Sequence, residues 1–225
     1  MGAAATGATS GAILGIVNGH GQQTTFHVEY GPVGGGLVNT GERGGGNGSG
    51  NIRISGPING LRPSTDYRAR LVVTNASGTT TGAFYTFTTA PARDRITRLR
   101  VRPRTFVAAR RGGPITPTRR AGATVRYNGT QPALTRFTVL RPAAGRRAGH
   151  SCERPTHRNR HRRRCTRWVS AGSFGHADVP GPNSFRFSGR VRHHRLRPGA
   201  YRLQALPTSA GGPGKTVHAD FHIKR

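Results

Sequence analysis

Two cysteines, Cys152 and Cys165, enclose a stretch that also holds His157, His161 and six arginines: Arg154, Arg158, Arg160, Arg162, Arg163 and Arg164. Two chemistries fit this spacing. A disulfide closing a loop of about 14 residues stabilises by roughly 3 kcal/mol on the loop-entropy model, and it belongs in an oxidising compartment. The alternative is a metal site. Cys152, His157, His161 and Cys165 are spaced Cys-x4-His-x3-His-x3-Cys and offer four nitrogen and sulfur ligands. The arginines oppose a dication there, although they favour thiolates. The spacing also matches no standard zinc finger. The disulfide is the preferred reading, and no metal or other cofactor is expected.

The six arginines are themselves candidate anion-binding residues. Guanidinium groups contact phosphates and release counterions, which would suit nucleic acid or an anionic wall polymer. Trp168 is the single tryptophan close enough to stack a base, and no interleaved aromatic platform accompanies it. No recognition-helix pattern occurs either. A solvated loop rich in arginine competes with specific binding. Weak, salt-sensitive adhesion to an anionic surface lies between the two.

Catalytic chemistry finds little support. The acids are Glu29, Glu42, Asp66, Asp94, Glu153, Asp178 and Asp220, scattered without an evident pair for glycoside hydrolysis. No Gly-x-Ser-x-Gly elbow occurs. Gly212-Pro213-Gly214-Lys215-Thr216 imitates the end of a phosphate-binding loop. The first glycine of that motif falls at Ser209, and an alternating strand follows where a helix is required. Most of the ten histidines fall on outward strand positions (His27, His218, His222) or in basic loops (His157, His161, His193, His194). The expectation is a non-enzyme.

These residues sit on short strands. The 225 residues carry a formal charge of +29, with 34 glycines and 15 prolines. Charge is uneven: residues 1–90 hold five arginines and three acids, and all but two of the basic residues, Lys215 and Lys224, are arginine. Such a surface attracts polyanions. Arginine, alanine, glycine and proline are also what a high-GC genome favours, so part of the charge can be compositional. No stretch reaches the roughly 20 apolar residues needed to span a membrane. The first 17 residues have no basic leader and only a brief apolar run, a poor signal peptide.

Apolar and polar residues alternate with period two. Phe26, Val28 and Tyr30 face one way, as do Tyr67, Ala69, Leu71 and Val73, then Tyr85 and Phe87. Phe185 and Phe187 repeat the pattern, followed by Tyr201, Leu203 and Ala205, then Val217, Ala219, Phe221 and Ile223. Glycine- and proline-rich turns separate these runs, and the glycine-rich segment 44–50 reads as a loop between two strands. Frequent short strands without helical periodicity predict face-packed sheets. A domain boundary is expected at residues 90–95, where the charge jumps. This divides the chain into 1–89, a linker, and 96–225.

Leu61-Arg62-Pro63-Ser64-Thr65-Asp66-Tyr67, with Arg68-Ala69-Arg70-Leu71 after it, resembles the E–F corner of fibronectin type III domains. The resemblance covers residues 8–89. It implies that Leu61 plugs the core, that Pro63 stiffens the crossing, and that the Tyr67 hydroxyl returns to an upstream backbone group. It also implies strands at residues 12–18 and 24–30 and a closing strand over 79–89. Two departures stand out. The family's core tryptophan has no counterpart in residues 1–90. There is hardly room for a first strand before residue 8, so that strand is expected to be absent or very short, as in a truncated chain.

The second half resembles the arginine-rich β-sandwich modules at the C-termini of secreted proteins from high-GC bacteria. Residues 96–101, 152–165, 186–191 and 196–203 carry the likeness. Leu196, Pro198 and Tyr201 echo the corner of the first half, with the tyrosine one residue earlier. The expected architecture is therefore all-β, with two antiparallel immunoglobulin-like or fibronectin type III-like sandwich domains in tandem. The expected role is a non-catalytic structural or adhesive module, extracellular or at the cell surface, such as a spacer, a display unit or an accessory of a carbohydrate-active system. A polyanion-binding protein is the alternative, with an anionic polymer or cell-wall polysaccharide as partner.

Overall fold

The computed structural model describes residues 1–117 and 121–225, and there is no helix among them. The chain divides into two compact units, Met1–Ala92 and Arg93–Arg225. Each is built on two face-packed β-sheets, and the second also carries a separate two-stranded ribbon.

The N-terminal unit holds β1 (Gly2–Ala5), β2 (Ser10–Asn18), β3 (Thr24–Pro32), β4 (Val38–Asn39), β5 (Arg43–Gly46), β6 (Asn51–Asn59), β7 (Asp66–Asn75), β8 (Gly78–Thr81) and β9 (Tyr85–Thr88). One sheet runs β1-β2-β6. In the other, β3 and β7 are central, with β4 and β5 on the free side of β3 and β8 and β9 on that of β7. Every pairing is antiparallel. Ile13, Val17, Ile54 and Ile58 of the first sheet meet Phe26, Val28, Tyr67, Ala69, Leu71 and Phe87 of the second.

That core is thin because glycines line it. A Cβ at Gly56 would lie 2.2 Å from Val28 Cγ2, and one at Gly15 would lie 2.2 Å from Leu71 Cδ1. The sheets close over these bare positions, so no tryptophan is needed to fill the space between them.

The first strand, expected to be absent or very short, is present as the four-residue β1, which pairs with β2 from Gly2↔Leu14 to Ala5↔Gly11. Four residues suffice because the chain reverses tightly, with the Thr6 and Gly7 amides both donating to the Ser10 carbonyl. The segment 44–50 is not all loop, since Gly44 and Gly46 pair with β3. The closing strand breaks into β8 and β9. Between them the Gly82 amide donates to the Leu71 carbonyl instead of extending the ladder.

The C-terminal unit holds β10 (Thr97–Arg102), β11 (Thr105–Val107), β12 (Ala123–Gly129), β13 (Ala133–Ala148), β14 (Ser151–Glu153), β15 (Arg164–Asp178), β16 (Gly181–Phe187), β17 (Arg190–Val191), β18 (His194–Arg195), β19 (Gly199–Ser209), β20 (Gly212–Pro213) and β21 (Val217–Lys224). One sheet runs β10-β12-β16. The other runs β11-β21-β19-β13, with β14 and β15 both on β13. The chain changes sheet after Arg102, and β11 pairs with β21 in parallel, the exception in this unit. The core is a continuous cluster of rings: Phe106, Phe137, Phe174, Phe185, Phe187, Tyr127, Tyr201 and Phe221, with His176 at its margin.

Residues 93–95, expected in the linker, are fastened into this unit. Asp94 is buried, and its Oδ1 accepts from the Thr130 and Gln131 amides and the Thr130 hydroxyl. Its own amide donates to Ser209 Oγ. On the other side, the Ala90 amide donates to the Gly7 carbonyl of the N-terminal unit.

Candidate anion-binding hairpin

The long strands β13 and β15 pair from Ala133↔Asp178 to Arg146↔Arg164, whereas β19 accompanies β13 only along Leu134–Leu140. Beyond Leu140 the hairpin has no neighbour from the body of the sheet. β14 folds back onto the end of β13, pairing Arg146↔Glu153, Arg147↔Cys152 and Ala148↔Ser151. The arm therefore ends in a miniature sheet ordered β14-β13-β15.

A disulfide joins Cys152 to Cys165, with their Cα atoms 6.1 Å apart. It ties the two outer strands of this sheet across β13, where Gly145 lies beneath it. A Cβ on Gly145 would lie 2.2 Å from Cys152 Sγ and 3.1 Å from Cys165 Sγ. The bridge needs a glycine at that position. It also corrects the metal alternative, because two of its four ligands are consumed in the sulfur–sulfur bond. Of the others, His157 Nε2 lies 2.8 Å from Arg160 Nη1, and His161 is exposed.

The intervening loop has an internal frame. Asn159 is buried, accepts from the Thr156 amide at Oδ1 (2.7 Å) and donates to the Arg154 carbonyl (3.0 Å). The Arg147 amide donates to the Arg163 carbonyl, and the Arg146 guanidinium to the Arg162 carbonyl. The frame uses the arginines' backbones and leaves their side chains outward. Arg154, Arg158, Arg160, Arg162, Arg163 and Arg164 are all exposed. None of them is in an ion pair among the described residues. Glu153, also exposed, is the one carboxylate of the arm. Trp168, at the base of the arm, is stacked by the Arg202 guanidinium at 4.4 Å.

The two corners are built differently. Leu61 and Tyr67 are buried, and the Tyr67 hydroxyl accepts from the Arg62 amide at 3.0 Å. Thr89 locks the same turn: its hydroxyl donates to the Arg62 carbonyl and accepts from the Thr65 amide. Leu196 and Tyr201 are likewise buried, but the Tyr201 hydroxyl donates to the Arg197 carbonyl at 2.9 Å. Pro63 is half-buried and Pro198 is exposed. The one-residue difference in spacing exchanges a backbone donor for a backbone acceptor.

Sequence reasoning missed a buried polar cluster. Asp178 Oδ1 accepts from the Tyr127 hydroxyl and lies 2.9 Å from His176 Nδ1, while Oδ2 accepts from the Thr135 hydroxyl. Burial, reinforced by the hydrogen bond to Asp178, pushes the Tyr127 phenol well above its ordinary value. Other acids are similarly occupied. Glu29 pairs with Arg70, Glu42 with His27 and Asp220 with Arg202, and Asp66 accepts from Thr88. His27, read from sequence as a solvated outward histidine, is therefore partnered.

No family model matches the chain. No curated protein matches it either. Among solved structures it is similar to the chicken CNTN1 FN1–FN3 domains, at 10% identity and a TM-score of 0.33, with 100% of this chain and 66% of that one covered. It is also similar to dimeric latent PorU from Porphyromonas gingivalis, at 12% identity and a TM-score of 0.33, with 100% of this chain and 19% of that one covered. Both likenesses are too slight to add to what the strand order establishes. No helix among the described residues is long and apolar enough to cross a membrane.

Proposed function

We propose that the chain is a non-catalytic adhesive module working outside the cell, and that it grips anionic polymers through the arginine-rich end of its second-unit hairpin. The observation that carries this reading is the arm itself: six exposed arginines on a disulfide-framed loop, free of ion pairs among the described residues. An arm that runs on past its neighbouring strand can enter a polymer layer that a flat sheet face cannot. The frame lowers the ordering cost of binding, which favours affinity. The occupation of Glu29, Glu42, Asp66, Asp94, Asp178 and Asp220 within their own folds supports a role without catalysis. The disulfide supports an oxidising location.

The test is retention on heparin and on duplex DNA as salt is raised. Neutralised phosphates contribute a slope of about −0.9 each on a log–log plot for duplex DNA. Replacing Arg158, Arg160, Arg162 and Arg163 with glutamine should flatten that slope by about three to four units. An unchanged slope in the four-fold variant would refute the arm as the contact surface.

A further inference from the structure

We propose a second anion site, on the outer face of the β10-β12-β16 sheet, that takes a single phosphate-type oxyanion. It lies on the sheet that carries no part of the hairpin, so it stands or falls independently of the adhesive reading. A groove of about 550 Å³ is lined there by Arg98, Arg100, Arg126, Asn128, Pro182 and Ser184, among others.

The register sets the geometry. Arg100 is directly opposite Arg126, and Arg126 is opposite Ser184 on the next strand. Directly opposed residues of an antiparallel pair hold their Cβ atoms about 5 Å apart, and like charges there destabilise the sheet. Arg98 joins them from a bulge in β10, where it takes a left-handed φ of 56°. Such a conformation costs an arginine about 1–2 kcal/mol. Bulges recur where a strand must re-aim a side chain.

Nothing among the described residues neutralises this trio. Arg98, Arg100 and Arg126 make no ion pair or side-chain hydrogen bond with the described residues. The unit's acids lie elsewhere: Asp178 is buried in its own hydrogen bonds, Asp94 is buried and held through Oδ1, Asp220 holds Arg202, and Glu153 is on the arm. By contrast, Arg186 on the same sheet is tied down by the Ala121 and Gly122 carbonyls. Three free guanidinium forks facing one groove need a counter-anion to offset their repulsion.

The donor set favours the kind of anion. A carboxylate has two oxygens and satisfies one bidentate fork. Three forks, with Ser184 and Asn128 beside them, suit the three or four oxygens of a phosphate. A terminal phosphate and a phosphodiester share this chemistry.

Thermal unfolding and calorimetric titration of the full chain test the site. The anions are inorganic phosphate, dimethyl phosphate, acetate and chloride at matched ionic strength. Phosphate should bind saturably with one equivalent and raise the melting temperature, whereas acetate and chloride should not. Binding of dimethyl phosphate as well assigns the site to a diester backbone; binding of inorganic phosphate alone assigns it to a terminal group. Arg126→Gln should weaken phosphate binding about tenfold or more. It should also raise the melting temperature in chloride, because it removes a like-charge pair, a gain that a misfolded variant cannot show. Arg53→Gln, an exposed position of the N-terminal unit outside both candidate surfaces, should leave phosphate binding unchanged. Equal stabilisation by phosphate and chloride, or undiminished binding by Arg126→Gln, overturns the proposal.

Discussion

Where the sheets of the N-terminal unit meet, Gly15 and Gly56 lie against Leu71 and Val28. Where those of the C-terminal unit meet, Phe106, Phe174, Phe187 and Phe221 stack ring against ring. Both are two-layer sandwiches, yet one closes its layers by leaving side chains out and the other by filling the gap with aromatic area. The difference reaches the polar groups. The aromatic unit encloses two carboxylates, Asp178, held by Tyr127 and Thr135, and Asp94, held through Oδ1 by Thr130 and Gln131. The glycine-lined unit buries no carboxylate and pairs its charges across its central strands, as in half-buried Glu29–Arg70 on β3 and β7. A thin core is sensitive to added atoms, and a thick one to atoms removed.

The strongest test of that contrast is Phe187→Ala. Phe187 is fully buried among other rings. Its loss should cost the C-terminal unit about 3–5 kcal/mol, read by urea unfolding with unit-resolved hydrogen exchange, and the N-terminal unit should be unmoved. Next is Gly145→Ala, which collides with the disulfide sulfurs. The purified protein should then show titratable thiols, and exchange at residues 151–164 should accelerate about 100-fold, the equivalent of roughly 3 kcal/mol lost by the arm.

Gly56→Ala should cost the N-terminal unit about 1–3 kcal/mol through overpacking. The matched change Gly175→Ala should be neutral or slightly stabilising, because the nearest atom to its new Cβ, Leu134 Cδ1, is 3.7 Å away. Equal costs at the two glycines would erase the contrast.

Alkali should single out the C-terminal unit. Burial raises the phenols of Tyr127 and Tyr201 in the folded state. Their contribution is therefore complete below the unfolded value of about 10 and is lost as pH rises past it, by at most about 1.4 kcal/mol per pH unit for Tyr127 and less for Tyr201. Tyr127→Phe should shallow that slope in a pH series of urea midpoints. The smallest effects belong to the corners. Tyr67→Phe and Tyr201→Phe should each cost about 0.5–1.5 kcal/mol. Tyr67→Phe should be the larger, because it strands the Arg62 amide at a turn that Thr89 already holds shut.

Much of this was legible in the chain. Alternation identified Phe26 and Val28, Tyr67 to Leu71, and Tyr201 to Ala205 as inward faces, and those positions are buried. The spacing of Cys152 and Cys165 favoured the bond that is present. Other features depend on pairing that no local pattern carries. Thr135 and His176 are neighbours only through the β13–β15 register, and Tyr127 reaches their Asp178 from the opposite sheet. Gly15, Gly56 and Gly145 look like flexible positions in a string of letters. Their role is to leave room for atoms far away in sequence. Asp94 read as linker because its partners, Thr130 and Ser209, come much later in the chain.

The frame at the end of the arm bears on how a bound polymer is kept. The ten arginines from Arg141 to Arg167 push one another apart along the arm. The sulfur bridge opposes that push from inside, and a captured polyanion opposes it from outside. Either restraint therefore makes the other harder to break: cargo should slow reductive cleavage, and reduction should loosen the grip while the sandwich beneath stays folded. Release by a reductant, without denaturation, is the behaviour such an architecture implies.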